Sequence, residues 1–386
     1  MIFFACVVCK ATHCLLRLFN FGATSLPGAL ALKICPDILG YAAKNVDIIA
    51  VTGTNGKTTS ARIIERALQN AGRSVCANRS GANLMPGITA ELIMNKSLFG
   101  SIRCESAVIE CDEAACRLVL GRLRPRVLLI TNLFRDQLDR YGTVTYPRDC
   151  IAEGLRDTPE TIAVINADCP MAASVSRLCQ NKTVYYGLGE HKKTCVGSGE
   201  DDTCPVCGKR LGYKGFSYAN LGVFSCSCGF ARSKPDVSAE SVFPDGSFVL
   251  RADGDKTVCA PALPGLYNVY NSVGAVAAYS LDGTQAYILG RKNDPDRKPG
   301  FLASAFDVAV TDDYLFVFDG NIRKINIFNK KDGSFVDRIS ADKLFDGQND
   351  VQMMPYGGNQ VLAIVKESSS KAKEAGSGDK VFMLKL

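Results

Sequence analysis

Two clusters in this chain have the residue types and spacing to do chemistry. The first is Val51-Thr-Gly-Thr-Asn-Gly-Lys-Thr-Thr59. Phosphate-binding loops follow G-x-x-x-x-G-K-[ST]. Counted back from Gly56-Lys57-Thr58, the leading glycine falls at position 51, where the chain has Val51. The rest of the pattern is in place. Gly53 and Gly56 let the backbone approach a ligand closely, Lys57 can reach the β- and γ-phosphates, and Thr58 offers a hydroxyl to Mg²⁺. Thr54, Asn55 and Thr59 complete a loop whose backbone N–H groups, at a helix N-terminus, attract phosphate. An ordinary glycine turn would leave the joint presence of strand, Gly-Lys-Thr and helix unexplained.

The second cluster is four cysteines. Cys204 and Cys207 form C-x-x-C, Cys226 and Cys228 form C-x-C, and residues 208–225 lie between the pairs. This is close to the C-x₂-C-x₁₅₋₂₀-C-x₂-C zinc pattern, with the second pair one residue tighter. Thiolates favour tetrahedral Zn²⁺, and four of them leave no open coordination position, so the site is structural. Cys195 is a possible substitute ligand. A structural Zn²⁺ contributes roughly 10–16 kcal/mol of folding free energy in small domains, enough for an insert with little core. The rival reading, a nucleic-acid-binding ribbon, is disfavoured by the few basic residues between the pairs.

Two further groups belong with the loop. Glu110-Cys-Asp-Glu113 ends an apolar run, and α/β ligands bind at the carboxyl ends of strands. Glu110 is the favoured Mg²⁺ ligand; Asp112 and Glu113 are weaker candidates, and a solvated strand end is the plain alternative. Asn268 and Asn271 are three apart on an expected helix and share a face, which suits contact with a nucleotide.

These residues need elements to position them. "DIIAV" from Asp47 reads as a buried parallel strand. After the loop, Ala61, Ile64, Ala67, Leu68 and Ala71 recur at helical spacing, closed by Gly72. Apolar runs at 106–111, 126–132 and 161–166 continue the alternation, which predicts an α/β domain with a mostly parallel sheet over 46–280. Residues 1–45 read as a short helical lead-in followed by a turn-rich stretch, "GATSLPGALALKICPDILG". Near Gly187 the text turns to Gly, Cys and Lys, marking an insert at 190–235. "GSFVLRAD" resumes strand text and 267–280 reads as a helix. From 281 to 386 the pattern is all-β. There Asp307-Val308 is echoed at Asp350-Val351, a spacing of the roughly 40–50 residues that propeller blades show.

Composition narrows the classes. The chain has 386 residues, 47% hydrophobic and 22% charged, enough to bury real cores. Its +6 charge comes from 45 basic and 39 acidic residues and is thinly spread, so nucleic acid is not expected as a partner. Of 17 cysteines, Cys6, Cys35, Cys76, Cys150 and Cys179 sit singly in apolar stretches, where a thiol is a small hydrophobe. A nucleotide loop with reduced thiols points to the cytoplasm. In the N-terminal run, Lys10, His13 and Arg17 interrupt the apolar residues, which argues for a packed helix over a membrane anchor.

The string "TGTNGKTT" resembles the loop of the Mur ligase family, ATP-dependent ligases that build cell-wall peptides. That loop is shorter at the front, so Val51 is expected. "AVIECDEAA" (107–115), "ITNLFRDQLDRYG" (130–142), "NADCP" (166–170) and "GLYNVYN" (265–271) resemble further family motifs in the same order. The lead-in stretch, Gln137 where many members have histidine, and the cysteine insert narrow the resemblance to the MurT type, the ligase-like subunit of lipid II isoglutaminyl synthase. It covers about residues 12–280. It implies a P-loop Mur-ligase fold with an inserted zinc ribbon, and ATP-dependent amidation of the D-glutamate α-carboxylate of lipid II through an acyl phosphate. It implies ammonia from a GatD-type glutaminase partner; the chain's two histidines, His13 and His191, suggest no glutaminase of its own. It further implies ATP, Mg²⁺ and Zn²⁺, catalytic roles for Lys57 and Glu110, and Asn132, Asn268 and Asn271 beside the nucleotide. The location it implies is the cytoplasm, at the inner face of the plasma membrane, in peripheral contact with a membrane-borne substrate. A folylpolyglutamate-type ligase shares the loop, and a nucleotide-binding interaction protein without turnover is the non-enzyme alternative. The family's third domain is not recognisable in 281–386, so no residue can be carried over for the aspartate that it lends to the partner. A natural fusion, a junction of two genes or a diverged third domain would each give this text.

Overall fold

A computed structural model describes residues 1–19, 24–78, 82–97, 103–134, 145–189, 203–244, 246–252, 255–259, 261, 263–280, 305–319, 324–329, 335–340, 351–365 and 380–385. The chain divides into two compact units, Met1–Gln69 with Arg73–Thr284, and Gln285–Leu386 with Asn70–Gly72.

The first unit is built on strands β1 (Asp47–Thr52), β2 (Val75–Ala77), β3 (Ser106–Glu110), β4 (Val127–Ile130), β5 (Ile162–Asn166), β6 (Thr183–Leu188), β7 (Gly212–Tyr218), β8 (Leu221–Ser225), β9 (Val237–Val242), β10 (Phe248–Ala252) and β11 (Asp255–Cys259). Its helices are α1 (Ile2–Leu18), α2 (Leu26–Ile34), α3 (Ile38–Ala43), α4 (Lys57–Asn70), α5 (Met85–Met94), α6 (Cys116–Leu123), α7 (Tyr146–Arg156), α8 (Pro170–Ala173) and α9 (Leu266–Ser280). Nine strands form one sheet in the order β11-β10-β9-β6-β5-β4-β1-β3-β2. The run from β2 to β9 is parallel, and β10 and β11 close one edge as antiparallel strands. The central strands are apolar on both faces because helices cover both: every residue of β3 and β4 is buried.

The register places the chemistry. β1 lies between β3 and β4, with Val51 beside Glu110 and Thr52 beside Ile130. After β1 the chain passes to the β3–β2 side and after β4 to the β5–β6 side, so the loop leaving Thr52 opens at a topological switch point, where α/β sheets leave a crevice for ligands.

The lead-in differs from its reading as turns: α2 and α3 are helices. Pro27 stands in the first turn of α2, where a fixed φ favours helix. Gly28 makes a helix contact instead of a turn. A Cβ there would collide with the Pro86 carbonyl and lie 2.9 Å from Ala90 N on α5. Lys10 of α1, half-buried, donates to the Lys96 carbonyl at 2.7 Å. Among the described residues no helix is long and apolar enough to cross a membrane.

The second unit is all-β. Strands β12 (Ala305–Val310), β13 (Tyr314–Asp319), β14 (Lys324–Asn329) and β15 (Phe335–Ser340) form an antiparallel sheet in chain order, and β16 (Val351–Gly357), β17 (Gln360–Val365) and β18 (Lys380–Lys385) form another. Phe316, Phe318, Ile325, Ile327, Val361 and Ala363 share one buried cluster.

Candidate nucleotide site and metal centre

The loop at 53–56 is fastened to the end of β4. Thr54 N donates to the Asn132 carbonyl at 2.8 Å, Asn55 N to Asn132 Oδ1 at 3.0 Å, and Asn132 Nδ2 returns a bond to the Asn55 carbonyl at 3.0 Å. Thr131 Oγ1 donates to the Asn55 carbonyl at 2.7 Å, and Phe134 N to Thr54 Oγ1 at 3.1 Å. The glycines are required by both conformation and space. Gly53 has φ 126° and Gly56 φ 83°, a region costly for other residues. A Cβ on Gly53 would strike Thr131 Oγ1 and lie 2.7 Å from the Asn132 carbonyl; one on Gly56 would strike the Asn271 amide.

Helix α4 begins at Lys57 and carries the loop's charge. Lys57 Nζ donates to the Gly53 carbonyl, to the Thr54 carbonyl at 3.3 Å and to Glu113 Oε1 at 3.3 Å. Thr58 Oγ1 donates to Glu110 Oε2 at 2.8 Å. The two residues read from sequence as Mg²⁺ ligands therefore touch. Glu110 is held by its backbone as well, since its N donates to Asn78 Oδ1 at 2.8 Å. Burial pushes the Glu110 carboxyl above its ordinary pKa, against the hydrogen bond from Thr58 and the charge of Lys57. Glu113 is buried, and its second oxygen, Oε2, has no hydrogen-bond partner. A buried, unpaired carboxylate oxygen is costly; the other oxygen of Glu113 is the one that pairs with Lys57. Asp112 Oδ1 instead accepts from Ala114 N at 3.1 Å, a local turn.

Helix α9 brings in the asparagines from 211 or more residues downstream of the loop. Asn268 and Asn271 are buried, and Asn271 Nδ2 donates to Asn268 Oδ1 at 3.2 Å. Ser60 Oγ donates to the Asn271 carbonyl at 3.5 Å, tying α4 to α9. A cavity of about 350 Å³ opens between them, lined by Asn55, Gly56, Thr59, Asn132, Asn271 and the side chains of Phe134, Leu221, Tyr267 and Tyr270. Amide groups and aromatic rings in one lining match what a purine nucleotide asks of a pocket. The sequence singles out neither Leu221 nor Tyr270; the β7–β8 hairpin brings the first to the cavity and α9 the second. Gln137, Asp139, His191 and Cys195 lie outside the described residues.

The four cysteines converge. The Sγ atoms of Cys204, Cys207, Cys226 and Cys228 all lie within 4.8 Å of one another. Cys204 and Cys228 are 3.8 Å apart and Cys207 and Cys226 3.5 Å; a tetrahedral ion with Zn–S bonds near 2.3 Å sets sulfurs about 3.8 Å apart. Two similar turns present them. Gly208 N donates to the Cys204 carbonyl at 2.9 Å and Gly229 N to that of Cys226 at 3.0 Å. Both glycines have positive φ, 74° and 85°. The Cys228 backbone N–H lowers the Cys226 thiol to about 7, and burial raises Cys204 to about 12. A bound cation would draw off both protons. The tight C-x-C spacing is no obstacle, and the donor set fits Zn²⁺.

Fold and site together define an α/β domain with a phosphate-type loop and a hydroxyl–carboxylate pair, Thr58 and Glu110, at its edge. Residues 51–203 match the family model for the Mur ligase middle domain. The chain is 32% identical over 292 residues to the MurT subunit of lipid II isoglutaminyl synthase (glutamine-hydrolyzing) from Streptococcus pneumoniae, covering 75% of this chain and 64% of that protein. It is 33% identical to a MurT subunit from Staphylococcus aureus, covering 67% and 57%. Thus the chain spans about three fifths of the length of these curated relatives. A pseudomurein peptide ligase type C from Methanothermus fervidus has a similar fold: TM-score 0.52, 28% identity, 70% of this chain and 56% of that one. The chain thus carries a Mur ligase middle domain and is similar to MurT subunits over two thirds or more of its own length.

Proposed function

We propose that this chain is the synthetase subunit of an ATP-dependent amide ligase, amidating the D-glutamate α-carboxylate of lipid II with ammonia from a GatD-type glutaminase. The observation that carries it is the convergence of Thr58, Glu110 and Lys57 at the switch point of the sheet, under a cavity closed by Asn271. The name of the MurT relatives supplies the substrate and the subunit character.

In this reading a carboxylate oxygen of the substrate attacks the γ-phosphorus of ATP. ADP leaves and an acyl phosphate forms. Ammonia then attacks the acyl carbon, phosphate departs, and a proton is lost to give the amide. Gly53 to Thr59 hold the phosphates through backbone N–H groups, and Lys57 leaves Glu113 to stabilise charge spreading over the transferring group. Thr58 and Glu110 would hold Mg²⁺. Zn²⁺ would be held by Cys204, Cys207, Cys226 and Cys228 and supplies folding free energy to the insert, with no part in the reaction. Domain limits of 1–45, 46–280 with its insert at 190–235, and 281–386 accompany this reading, as do a site of action at the inner membrane face and no nucleic-acid partner.

The test is amidation of lipid II by this chain with ATP, Mg²⁺ and ammonium chloride, which bypasses the glutaminase. Product that disappears in Lys57→Ala supports the reading. A chain that binds ATP and yields no amide, with free ammonia or with a partner glutaminase, overturns it and leaves a nucleotide-binding interaction protein.

A further inference from the structure

The cysteine insert and the nucleotide cavity share a wall. Hairpin β7–β8 is a two-stranded sheet of its own, outside the nine-stranded one. Strand β8 starts at Leu221, which lines the cavity, and ends at Ser225, one residue before Cys226. One strand therefore runs from the nucleotide pocket into the metal centre. Its base is closed by the two cysteine turns and a small cluster of Cys204, Leu211, Phe224 and Phe230.

The hairpin is also fastened to the domain beside the pocket. Ser217 Oγ on β7 lies 2.6 Å from the hydroxyl of Tyr270, and Tyr270 lines the same cavity from α9. Tyr270 donates to Asp168 Oδ2 at 2.6 Å. Asp168 is fully buried. Its carboxylate also accepts from Arg232 Nε at 2.5 Å and Leu188 N at 2.9 Å, and its carbonyl accepts from Gly222 N at 2.9 Å. Arg232 follows the second cysteine turn, and its own N donates to the Phe224 carbonyl at 3.0 Å. Asp168 thus gathers β6, α9 and the exit of the metal centre at its carboxylate and the start of β8 at its carbonyl.

We propose that the metal held by the four cysteines shapes the nucleotide pocket, so that metal and nucleotide bind cooperatively through the hairpin, with Asp168 and Tyr270 as positioning residues. This rests on reading the cavity as the nucleotide site. With the base clamped, Leu221 and the Ser217–Tyr270–Asp168 chain stand in one arrangement. With the base released, β8 loses its anchor one residue beyond Ser225, and the pocket loses a wall. A buried polar network of this kind is satisfied as a unit or not at all.

The experiment uses the whole chain and a fluorescent ATP analogue with Mg²⁺. Affinity is measured on zinc-loaded protein, on protein stripped with a zinc-selective chelator, and after zinc is restored. Stripping should weaken the analogue about 5-fold or more, and zinc should restore it. Coupling is reciprocal, so saturating ATP should raise apparent zinc affinity by the same factor. A merely structural metal would not respond. Since stripped protein could lose its fold, Tyr270→Phe decides with zinc in place: zinc content stays at that of the parent, and the ATP dependence of zinc affinity shrinks toward one. Equal affinity of loaded and stripped protein, or an undiminished factor in Tyr270→Phe, overturns the coupling alone. Loaded parent protein that binds no nucleotide overturns the nucleotide reading and the coupling together.

Discussion

The phosphate loop and the cysteine insert are both irregular segments, and they are held in opposite ways. The loop hangs from buried strands. Its backbone groups at 54 and 55 are bonded to Asn132, and β1, β3 and β4 beneath it are buried almost throughout. The insert has no such floor. Its own buried cluster is Ala173, Cys204, Leu211, Phe224 and Phe230, one of which is a ligand and one of which belongs to the preceding helix. The loop inherits its order from a hydrophobic core, and the insert, on the zinc reading proposed above, takes its order from a cation. Stability in a folded chain is unevenly distributed, and here the two regions should answer to different perturbations.

The largest expected effect follows directly. Chelation removes the cation from the insert, where structural zinc is worth roughly 10–16 kcal/mol in small peptides. Backbone amides of β7 and β8 should lose protection from hydrogen exchange, while those of β1, β3 and β4 keep theirs. Protection at Phe224 and Phe230 that survives metal extraction would break the contrast.

Next in size are the glycines, which sharpen it. Gly53→Ala and Gly56→Ala meet both positive φ and a wall, Thr131 at one and Asn271 at the other. Each should cost about 1–3 kcal/mol in strain and abolish nucleotide binding, with zinc content unchanged. At Gly208 and Gly229 a Cβ meets nothing within 4 Å, leaving the left-handed backbone cost of about 1–2 kcal/mol. Gly208→Ala and Gly229→Ala should lower zinc affinity and leave the thermal unfolding of the sheet in place. Unfolding curves and metal analysis on the four variants separate the two patterns. Equal loss of zinc from Gly56→Ala and Gly229→Ala would contradict the division.

What could be read in the sequence was what lies close together along the chain. The strand before Gly53, the helix from Lys57 and the cysteine spacings are local, so their physics is local. Glu110 was legible because it ends an apolar run, and it meets Thr58 since β1 and β3 are neighbours in register. Gly28 misled for the same reason: a glycine beside a proline signals a turn, and only the packed α5 explains it as a contact. Leu221 carried no signal: it begins strand β8 of a hairpin outside the nine-stranded sheet and meets the cavity only in the folded chain. Tyr270 and Thr131 lay within recognisable stretches, but their spacing said nothing of the cavity that Tyr270 lines or of the bond from Thr131 to the Asn55 carbonyl. Asp168 lay within a recognisable stretch, but its burial beneath the insert depends on Arg232 and Tyr270 arriving from elsewhere.

The smallest effect is a pH dependence confined to the loop side. Burial raises the Glu110 carboxyl above its ordinary value near 4.3. For an acid, a raised folded-state pKa means the folded chain holds the proton more tightly than the unfolded one. This group therefore favours the fold at low pH, and its contribution falls as pH rises from the ordinary value through the raised one. Cation binding runs the other way, because Mg²⁺ requires the carboxylate that the proton occupies. As pH is lowered, the Mg²⁺ needed for half-maximal nucleotide binding should begin to climb above the range in which an exposed glutamate titrates. Glu110→Gln removes the titrating group, so its weaker Mg²⁺ dependence should stay flat across that window. Zinc content of the insert, measured over the same window in both proteins, should not follow the Glu110 titration. An acid limb that persists in Glu110→Gln would assign the effect to another carboxylate and break the link between the loop's pH dependence and the Thr58–Glu110 pair.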